Sequence, residues 1–295
     1  MPSLEEHLYS KIIGSTNIQT LLTTYSGAPA FFEGQAPDDT DEGWTGRQYP
    51  RMNYIVDRAE DPERKVSGMV VFDIWCVNTS GVDTQSVWPE QIEAEVRALV
   101  DGAVFHPTDE PVTAIKWNRS EPFQEKIRND LKDGMVIGIT VAFDLLAFPA
   151  QTTTDPDPIA AINQWTVDTF GSLQVDPQTW APTDSTPAIY WRLVGLSLAQ
   201  QTNSVTWMDV EMAGHILTGG PSERLQWVKQ LTEEIAQTGR IYMLDTSPMF
   251  IRRLSADSSG DPFRQGQIRV TARYGVLYKK PIYEILNHAI IDGGV

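Results

Sequence analysis

The sequence predicts an α+β protein built of two tandem units, each an antiparallel β-sheet covered on one face by helices. Three observations support this fold class: strands in which apolar and polar residues alternate, the same order of helices and strands on either side of residue 150, and a polar linker at that boundary. Alternating strands have one buried and one solvated face, so helices are expected on only one side of each sheet. The predicted units are residues 1–150 and 151–295.

The first unit is predicted to contain two helices and five strands. Its second helix opens at Pro89, a position where the missing N–H of proline costs nothing. The single cysteine, Cys76, lies in the apolar run MVVFDIWCV and is expected to pack as a small hydrophobic side chain. The predicted elements are a helix at residues 3–23, strands at 29–36, 48–57 and 66–78, a helix at 89–103, and strands at 112–119 and 134–148.

The second unit follows a linker, AQTTTDPDPIAAINQW, that begins at Ala150 and is rich in threonine, proline and aspartate. Asp157 is placed to cap the next helix, and Pro158 fits its first turn. This unit has one strand fewer than the first, or has fused two. The predicted elements are a helix at residues 158–171, strands at 187–199 and 203–217, a helix at 221–238, and strands at 240–254 and 265–280.

The central helices of the two units indicate an internal duplication. Both open with proline, at Pro89 and Pro221. Each is followed by a short strand, by a loop containing EPF (121–123) or DPF (261–263), and by a long closing strand. Counted from the two prolines, three apolar positions coincide at helical spacing: Val96 with Val228, Leu99 with Leu231, and Ala103 with Ile235.

The charge of the chain argues against a protein whose main task is to bind nucleic acid. The formal net charge is −16, whereas phosphate binding needs clustered Lys and Arg. The acids are concentrated in residues 1–150, which hold 24 acids and 12 bases, while residues 151–295 hold 15 acids and 11 bases. The sequence has no apolar run long enough to span a bilayer and no signal-peptide pattern, so neither export nor a membrane partner is expected.

No catalytic site, metal site or cofactor is predicted. The four histidines never fall at metal-ligand spacing. Asp39, Asp41 and Gly43 resemble part of a calcium loop, but Pro50 occupies the position of its bidentate glutamate. One carboxylate pair, Asp209 and Glu211, has the chemistry that glycoside hydrolysis uses, which keeps a carbohydrate-acting enzyme as an alternative.

Three stretches of the chain carry a resemblance to a known family. They are PAFFEGQAPDDTDEGW followed by QYPRMNYIVDRAEDPERKVSGMVVFDIWC, the helix WPEQIEAEVRALVDG, and MVIGITVAFDLLAFPAQTTTDPDPIAAINQW. In these stretches the chain resembles the tail terminator proteins of long-tailed bacteriophages, also called tail completion or head–tail joining proteins. The resemblance covers about residues 3–170 and rests on element order and short phrases such as Tyr49–Pro50, without a catalytic signature. Residues 171–295 depart from the usual single-unit member and are interpreted as a second, diverged copy.

The resemblance implies a structural virion protein of the tail and neck. Such proteins form a sixfold ring that caps the tail tube, ends its polymerisation and joins the tail to the head. The expected partners are further copies of the chain in a trimer or a hexamer, the tail tube protein, a neck or head-completion protein, and a tail sheath protein. DNA is expected to pass through the channel without specific binding, since an acidic wall repels phosphates.

Two charged surfaces are predicted to form subunit interfaces. A mobile, glycine-hinged loop carries acids and a tryptophan, and the second unit carries a locally basic stretch near its end. We expect the loop of one copy to contact the basic surface of the next. The carboxyl tail HAIIDGGV is a further candidate, for docking to an adjacent ring. The predicted interface residues are Asp38, Asp39, Asp41, Glu42 and Trp44 in the loop, and Arg252, Arg253, Arg269 and Arg273 in the basic stretch.

Two alternatives stay open at this point. One is another neck, tube or head-completion subunit of a phage or phage-like injection system. The other is an acidic carbohydrate-acting enzyme, which predicts a monomer with a cleft lined by tryptophans and carboxylates.

Overall fold

The protein contains two separate β-sheets, each packed against its own helices. The structure is a computed structural model that describes residues 2–59, 67–78, 87–126, 135–151, 153–180, 187–218 and 220–278. A small two-stranded ribbon, β1 (Thr24–Tyr25) with β2 (Ala28–Pro29), lies before the first sheet.

The first sheet, sheet I, has six strands in the order β3-β4-β5-β8-β7-β6. The pairs are antiparallel except for β3 and β4, which run parallel. Its elements are α1 (Leu4–Ile13), α2 (Thr16–Leu21), β3 (Phe31–Glu33), β4 (Arg51–Arg58), β5 (Gly68–Asn78), α3 (Pro89–Val100), β6 (Val104–Phe105), β7 (Val112–Lys126) and β8 (Met135–Phe148).

The second sheet, sheet II, has five strands in the order β11-β12-β13-β10-β9, all antiparallel. A single 3-10 turn, Pro177–Thr179, precedes it. Its elements are α4 (Pro158–Thr169), β9 (Ala188–Gln201), β10 (Val205–Leu217), α5 (Pro221–Thr238), β11 (Arg240–Tyr242), β12 (Pro248–Ala256) and β13 (Ile268–Leu277).

The two sheets share one strand order. In sheet I the chain makes the β4–β5 pair, crosses through α3, makes β6 and β7, and returns with β8 between β5 and β7. In sheet II the chain makes the β9–β10 pair, crosses through α5, makes β11 and β12, and returns with β13 between β10 and β12. Within the described residues, the counterpart of β3 in sheet II is reduced to a single parallel bridge between Gln174 and Ala188 at the start of β9, in keeping with the missing strand that the sequence predicts.

Each sheet buries one face under helices, as the alternating strands predict. The core of sheet I joins the apolar sides of α1, α2 and α3, such as Leu8, Ile18 and Val96, to strand residues such as Phe72 and Phe143. The core of sheet II joins α4 and α5 to β9, β10 and β13 in the same way. Cys76 is fully buried in the first core, and burial raises the pKa of its thiol to about 12. The prediction that Cys76 packs as a hydrophobic side chain is confirmed.

Four predicted elements differ from the structure. The strand predicted at 240–254 is two paired strands, β11 and β12, separated by residues 243–247. The helix predicted over residues 3–23 is two helices, because Gly14 ends α1 and the Ser15 hydroxyl accepts the Ile18 N–H to cap α2. The strand predicted at 29–36 is the short parallel strand β3. The EPF stretch, 121–123, lies within β7 and not in a loop. Pro122 is accommodated because β6 pairs only with Thr113 and Ala114 in the described structure, which leaves the outer edge of β7 open there.

The two halves meet through the faces of the sheets that carry no helix, here called the open faces. Phe148 on the open face of sheet I packs edge to face against Tyr190 of sheet II, with ring centroids 5.1 Å apart. Trp180, from the segment between the sheets, lies 5.2 Å from the Phe148 ring. Asp144 of β8 forms an ion pair with Arg264, which precedes β13. The halves therefore share a small third core of their own.

Candidate functional site

The acidic loop, residues 35–47, is held by hydrogen bonds of its own carboxylates. Asp39 accepts from the Arg51 guanidinium at 2.6 Å, and the Tyr49 hydroxyl donates to it at 3.1 Å. Asp41 accepts from the Gly43 amide and from the Tyr25 hydroxyl, both at 2.8 Å. These bonds lower the pKa of Asp41, the Gly43 amide having the larger effect. Two of the four predicted interface acids are thus engaged inside their own chain.

Trp44 forms the packed centre of the same loop. Its side chain is 9% exposed and its indole N–H donates to the Asp38 carbonyl at 2.9 Å. The ring lies edge to face against Tyr25 and Phe32, with centroids 4.9 and 5.9 Å away. The structure therefore places Trp44 inside the loop and not on its surface, where a subunit contact would need it.

Asp38 and Glu42 are the two predicted loop acids that point outward. Both are exposed, and in the described structure neither carboxylate has a hydrogen bond or an ion pair. The ordered loop places these two charges on a defined framework, because Trp44 and Arg51 hold the backbone around them. Of the loop residues predicted to form an interface, Asp38 and Glu42 are the ones the structure leaves available.

The basic residues predicted for the second unit also include one with a partner in its own chain and two exposed residues without an ion pair among the described residues. Arg273 of β13 forms a two-pronged ion pair with Asp209 of β10, with N–O distances of 2.7 and 2.9 Å. Its guanidinium lowers the pKa of Asp209. Arg252 and Arg253 on β12 are exposed and have no ion pair within the described residues. Those two are free for an outside partner, whereas Arg273 is already neutralised by its neighbour.

Arg269 lies beside a residue that the sequence did not single out, Arg192. The β-ladder pairs both arginines with the same small residue, Ala213 of β10, from opposite sides. Side chains of directly paired residues lie on one face, so the two guanidinium groups share the open face of sheet II. The separation of 77 positions along the chain hides this pair from any local motif; only the register of β9, β10 and β13 brings it together.

Other kinds of site are not formed by the described residues. Within these ranges, three or more His, Cys, Asp or Glu side chains never gather where they could hold a metal ion. None of the helices in the described ranges is long and apolar enough to cross a membrane. The tail HAIIDGGV, residues 288–295, lies outside the part of the chain that the structure describes.

No family model and no curated protein matches the sequence. Within one copy the acids and bases of the two surfaces do not meet: the acidic loop forms its ion pair with Arg51, and the arginines of β12 and β13 have none with the loop in the described structure. An arrangement of this kind can form a charged contact between copies.

Proposed function

We propose that the protein is a structural ring subunit of a phage tail or neck, of the tail terminator type, in which an ancestral unit has been duplicated. The observation that carries the proposal is the strand order shared by the two sheets, with the last strand of each inserted at the centre. With two units of one architecture in each chain, three copies can form a ring with pseudo-sixfold symmetry. Six copies can form a sixfold ring in which the second units make an outer collar.

Self-association is supported by an open sheet edge. Strand β9 is 14 residues long, and beyond the bridge between Ala188 and Gln174 it pairs only with β10 in the described structure. Its outer stretch, 193–201, contains no charge and no proline, and exposes Val194, Leu196 and Leu198 at 42, 51 and 58%. Natural edge strands usually carry charges or proline to prevent pairing with another chain, so an uncharged edge favours an intended contact.

In this role the protein would end the polymerisation of the tail tube and join the tail to the head. Its partners would be the tube protein, a neck or head-completion protein, and a sheath protein where the tail has one, all within the virion. A strongly acidic ring suits a DNA channel, because like charges on the wall let phosphates pass without being held. The formal charge of −16 per chain supports this part of the proposal.

Native mass spectrometry and negative-stain imaging of the purified protein test the ring. The expected result is a closed annulus whose mass is three or six times the 33.0 kDa chain. A monomer over the whole accessible concentration range, in the presence and absence of a tail tube protein, would falsify the proposal.

The charged contact between copies predicts the effect of a double substitution. Asp38→Asn with Glu42→Gln should weaken association roughly fivefold for each pair lost at low salt, because exposed ion pairs contribute at most about 1 kcal/mol. The difference from wild type should disappear at high salt, where exposed charges are screened. Sedimentation over a range of salt concentrations measures both effects.

A matched control removes two exposed acids elsewhere. Asp168→Asn with Glu233→Gln makes the same charge change on α4 and α5, where both side chains bond within their own helix. Equal effects of the two double variants would show that total charge matters and that the loop does not.

A different subunit of the neck or tube is the second candidate, and it is favoured by the same uncharged edge of β9. Recombination with purified tail tubes separates the candidates, since only a terminator would bind tube ends and stop their growth. The carbohydrate-acting alternative has less support, because Asp209 is held by Arg273 as a low-pKa carboxylate and a general acid needs a raised pKa.

A further inference from the structure

Arg192 and Arg269 form a cationic pair on the open face of sheet II. Both are paired in the β-ladder with Ala213, one from each side. Neighbouring strands are about 4.8 Å apart, so the two backbones are separated by roughly 10 Å. The methyl side chain of Ala213 fills little of the space between them, and two long side chains can converge above it on a single small ligand.

Among the described residues, neither arginine has an anionic partner. In the described structure the Arg192 side chain makes no hydrogen bond, and that of Arg269 makes one, from Nη2 to the Gln265 carbonyl at 2.9 Å. Nε of Arg192 and Nη1 of Arg269 are buried without any hydrogen-bond partner. Burial and the nearby Arg269 charge both lower the pKa of Arg192. Buried charged donors without partners are unfavourable, so this pair lacks a counter-ion.

Two other arginines near this face have carboxylate partners. Arg273 is bound by Asp209 and Arg264 by Asp144. Glu211, the next residue on the same face of β10, is exposed and forms no ion pair with Arg192 or Arg269 in the described structure. Within the described ranges, the two cations that lie side by side therefore have no ion pair.

A third polar atom of the same face also lacks a partner. His215, two residues beyond Ala213 on β10, is 2% exposed. Its Nδ1 bonds to the Pro262 carbonyl at 2.8 Å, and its Nε2 is buried and unpaired. Burial lowers the pKa of His215 to about 4, and the charges of Arg192 and Arg269 act in the same direction. His215 pairs with Tyr190 while Ala213 pairs with Arg192 and Arg269, so the histidine lies one step along the same face from the arginine pair.

We propose that Arg192 and Arg269 bind one small oxyanion, a phosphate or a carboxylate group, above Ala213. The guanidinium fork presents parallel N–H donors that match two oxygens of such a group, and two forks facing one another can hold it from both sides. The ligand would supply the missing acceptors for Nε of Arg192 and Nη1 of Arg269. This site does not depend on ring formation, since every residue in it comes from one chain.

Calorimetric titration with inorganic phosphate at constant ionic strength tests the site. Wild type should bind one phosphate per chain with a saturable isotherm. Arg192→Gln and Arg269→Gln should each weaken binding at least about tenfold, since each removes a charge-assisted fork. Arg192→Lys keeps the charge but loses the fork, and should also weaken binding. Arg252→Gln, an exposed arginine of β12, makes the same charge change outside the site and should bind as wild type.

A second readout is independent of the heat signal. The imidazole resonances of His215 should shift on addition of phosphate in wild type and in Arg252→Gln, and should stay unchanged in Arg192→Gln. Circular dichroism identifies any variant that fails to fold. The variants that do fold still show whether phosphate binding requires Arg192 and Arg269. Absence of saturable binding, or equal binding by Arg192→Gln, Arg269→Gln and Arg252→Gln, overturns the proposal.

The natural oxyanion could come from a carboxylate of another copy or from a free anion, and competition with phosphate distinguishes these two sources. If the natural ligand is a carboxylate from another copy, phosphate should displace it. Self-association should then fall over the same range of phosphate concentration in which the site becomes occupied. If the natural ligand is a free anion, phosphate should bind without changing the association state. Both results support an oxyanion site between Arg192 and Arg269.

Discussion

His215 is a buried residue whose protonation is linked to folding in the acid pH range. It is buried on the same face as Arg192 of β9 and Arg269 of β13, with Tyr190 paired opposite it, and the charge of Asp261 opposes the effect of the two arginines on its pKa. Its folded pKa of about 4 lies below the ordinary value of 6.5, so between these two pH values the unfolded chain binds a proton that the folded chain excludes. Stability contributed by neutral His215 is therefore complete above pH 6.5 and is lost as the pH falls toward 4.

This linkage predicts the behaviour of His215→Asn. The asparagine amide can still donate to the Pro262 carbonyl but cannot titrate. Between pH 7 and 4.5, wild type should lose about 2.5 kcal/mol more unfolding free energy than the variant, by the conversion of roughly 1.4 kcal/mol per pKa unit. Urea unfolding at the two pH values measures the difference. Parallel losses in both proteins would mean that His215 is protonated in the folded state.

Residue types predict burial well and partners poorly. The burial of Cys76 follows from its place in an apolar run. The ion pairs of Asp39 with Arg51 and of Arg273 with Asp209 do not follow from the sequence, because a charged residue that has a partner and one that has none look the same there. The Arg192–Arg269 pair is set by strand register, and a shift of one residue in β9 or β13 would send one guanidinium to the opposite face.

At the scale of single elements, helix α4 depends on the cap that the linker provides. The Asp157 carboxylate accepts from the backbone N–H groups of Ile159, Ala160 and Thr153, at 2.9, 3.0 and 3.1 Å. It is 8% exposed, so losing it leaves these donors poorly solvated.

Asp157→Ala should therefore destabilise the protein by about 1–2 kcal/mol, the cost of a lost N-cap. Asp157→Asn, which keeps one acceptor oxygen, should cost less. Asp176→Ala is the control, because Asp176 caps only the single turn Pro177–Thr179, through Gln178. Chemical denaturation compares the three variants, and a cost for Asp176→Ala equal to that of Asp157→Ala would contradict the prediction.

Local signals predict these elements because the causes are local. The prolines at 89, 158 and 221 each begin a helix in the structure, as proposed from their N1 preference. The sequence does not predict the break between α1 and α2, because apolar spacing continues through Gly14 and Ser15 and only the capping hydrogen bonds mark the end of one helix and the start of the next. The sequence does not predict the full length of β7, because proline interrupts most strands, whereas Pro122 is tolerated on an open edge.

At the scale of the whole molecule, Trp180 connects the two halves. It is 2% exposed and packs against Phe148 of sheet I and Tyr190 of sheet II, with centroids 5.2 and 5.8 Å away. Such a side chain contributes cooperativity between the halves as well as stability, because each half supplies part of its pocket.

Trp180→Ala should destabilise the junction by about 3–5 kcal/mol and separate thermal unfolding into two transitions. Trp88→Ala is the matched control: Trp88 is 48% exposed at the start of α3, and its loss should leave the unfolding profile nearly unchanged. Differential scanning calorimetry measures both variants. A single transition in Trp180→Ala, with an unchanged midpoint, would refute this role.

The sequence could indicate that two similar sets of elements follow one another, but not how their strands are arranged. Strand order depends on long-range pairing, as in β5 with β8 and β10 with β13. The contact of the two open faces is equally non-local, since Phe148 and Tyr190 read as ordinary strand residues until the sheets are placed together.

Because the closing strand lies at the centre of each sheet, each sheet can be completed only late in the translation of its half of the chain. While the ribosome is still making residues 135–148, β5 and β7 have been translated but lack the neighbour that lies between them. A nascent chain cannot finish its first sheet until β8 has left the exit tunnel, and the second sheet waits in the same way for β13. We therefore expect these partly made chains to be the form most prone to premature strand pairing, and most in need of chaperones.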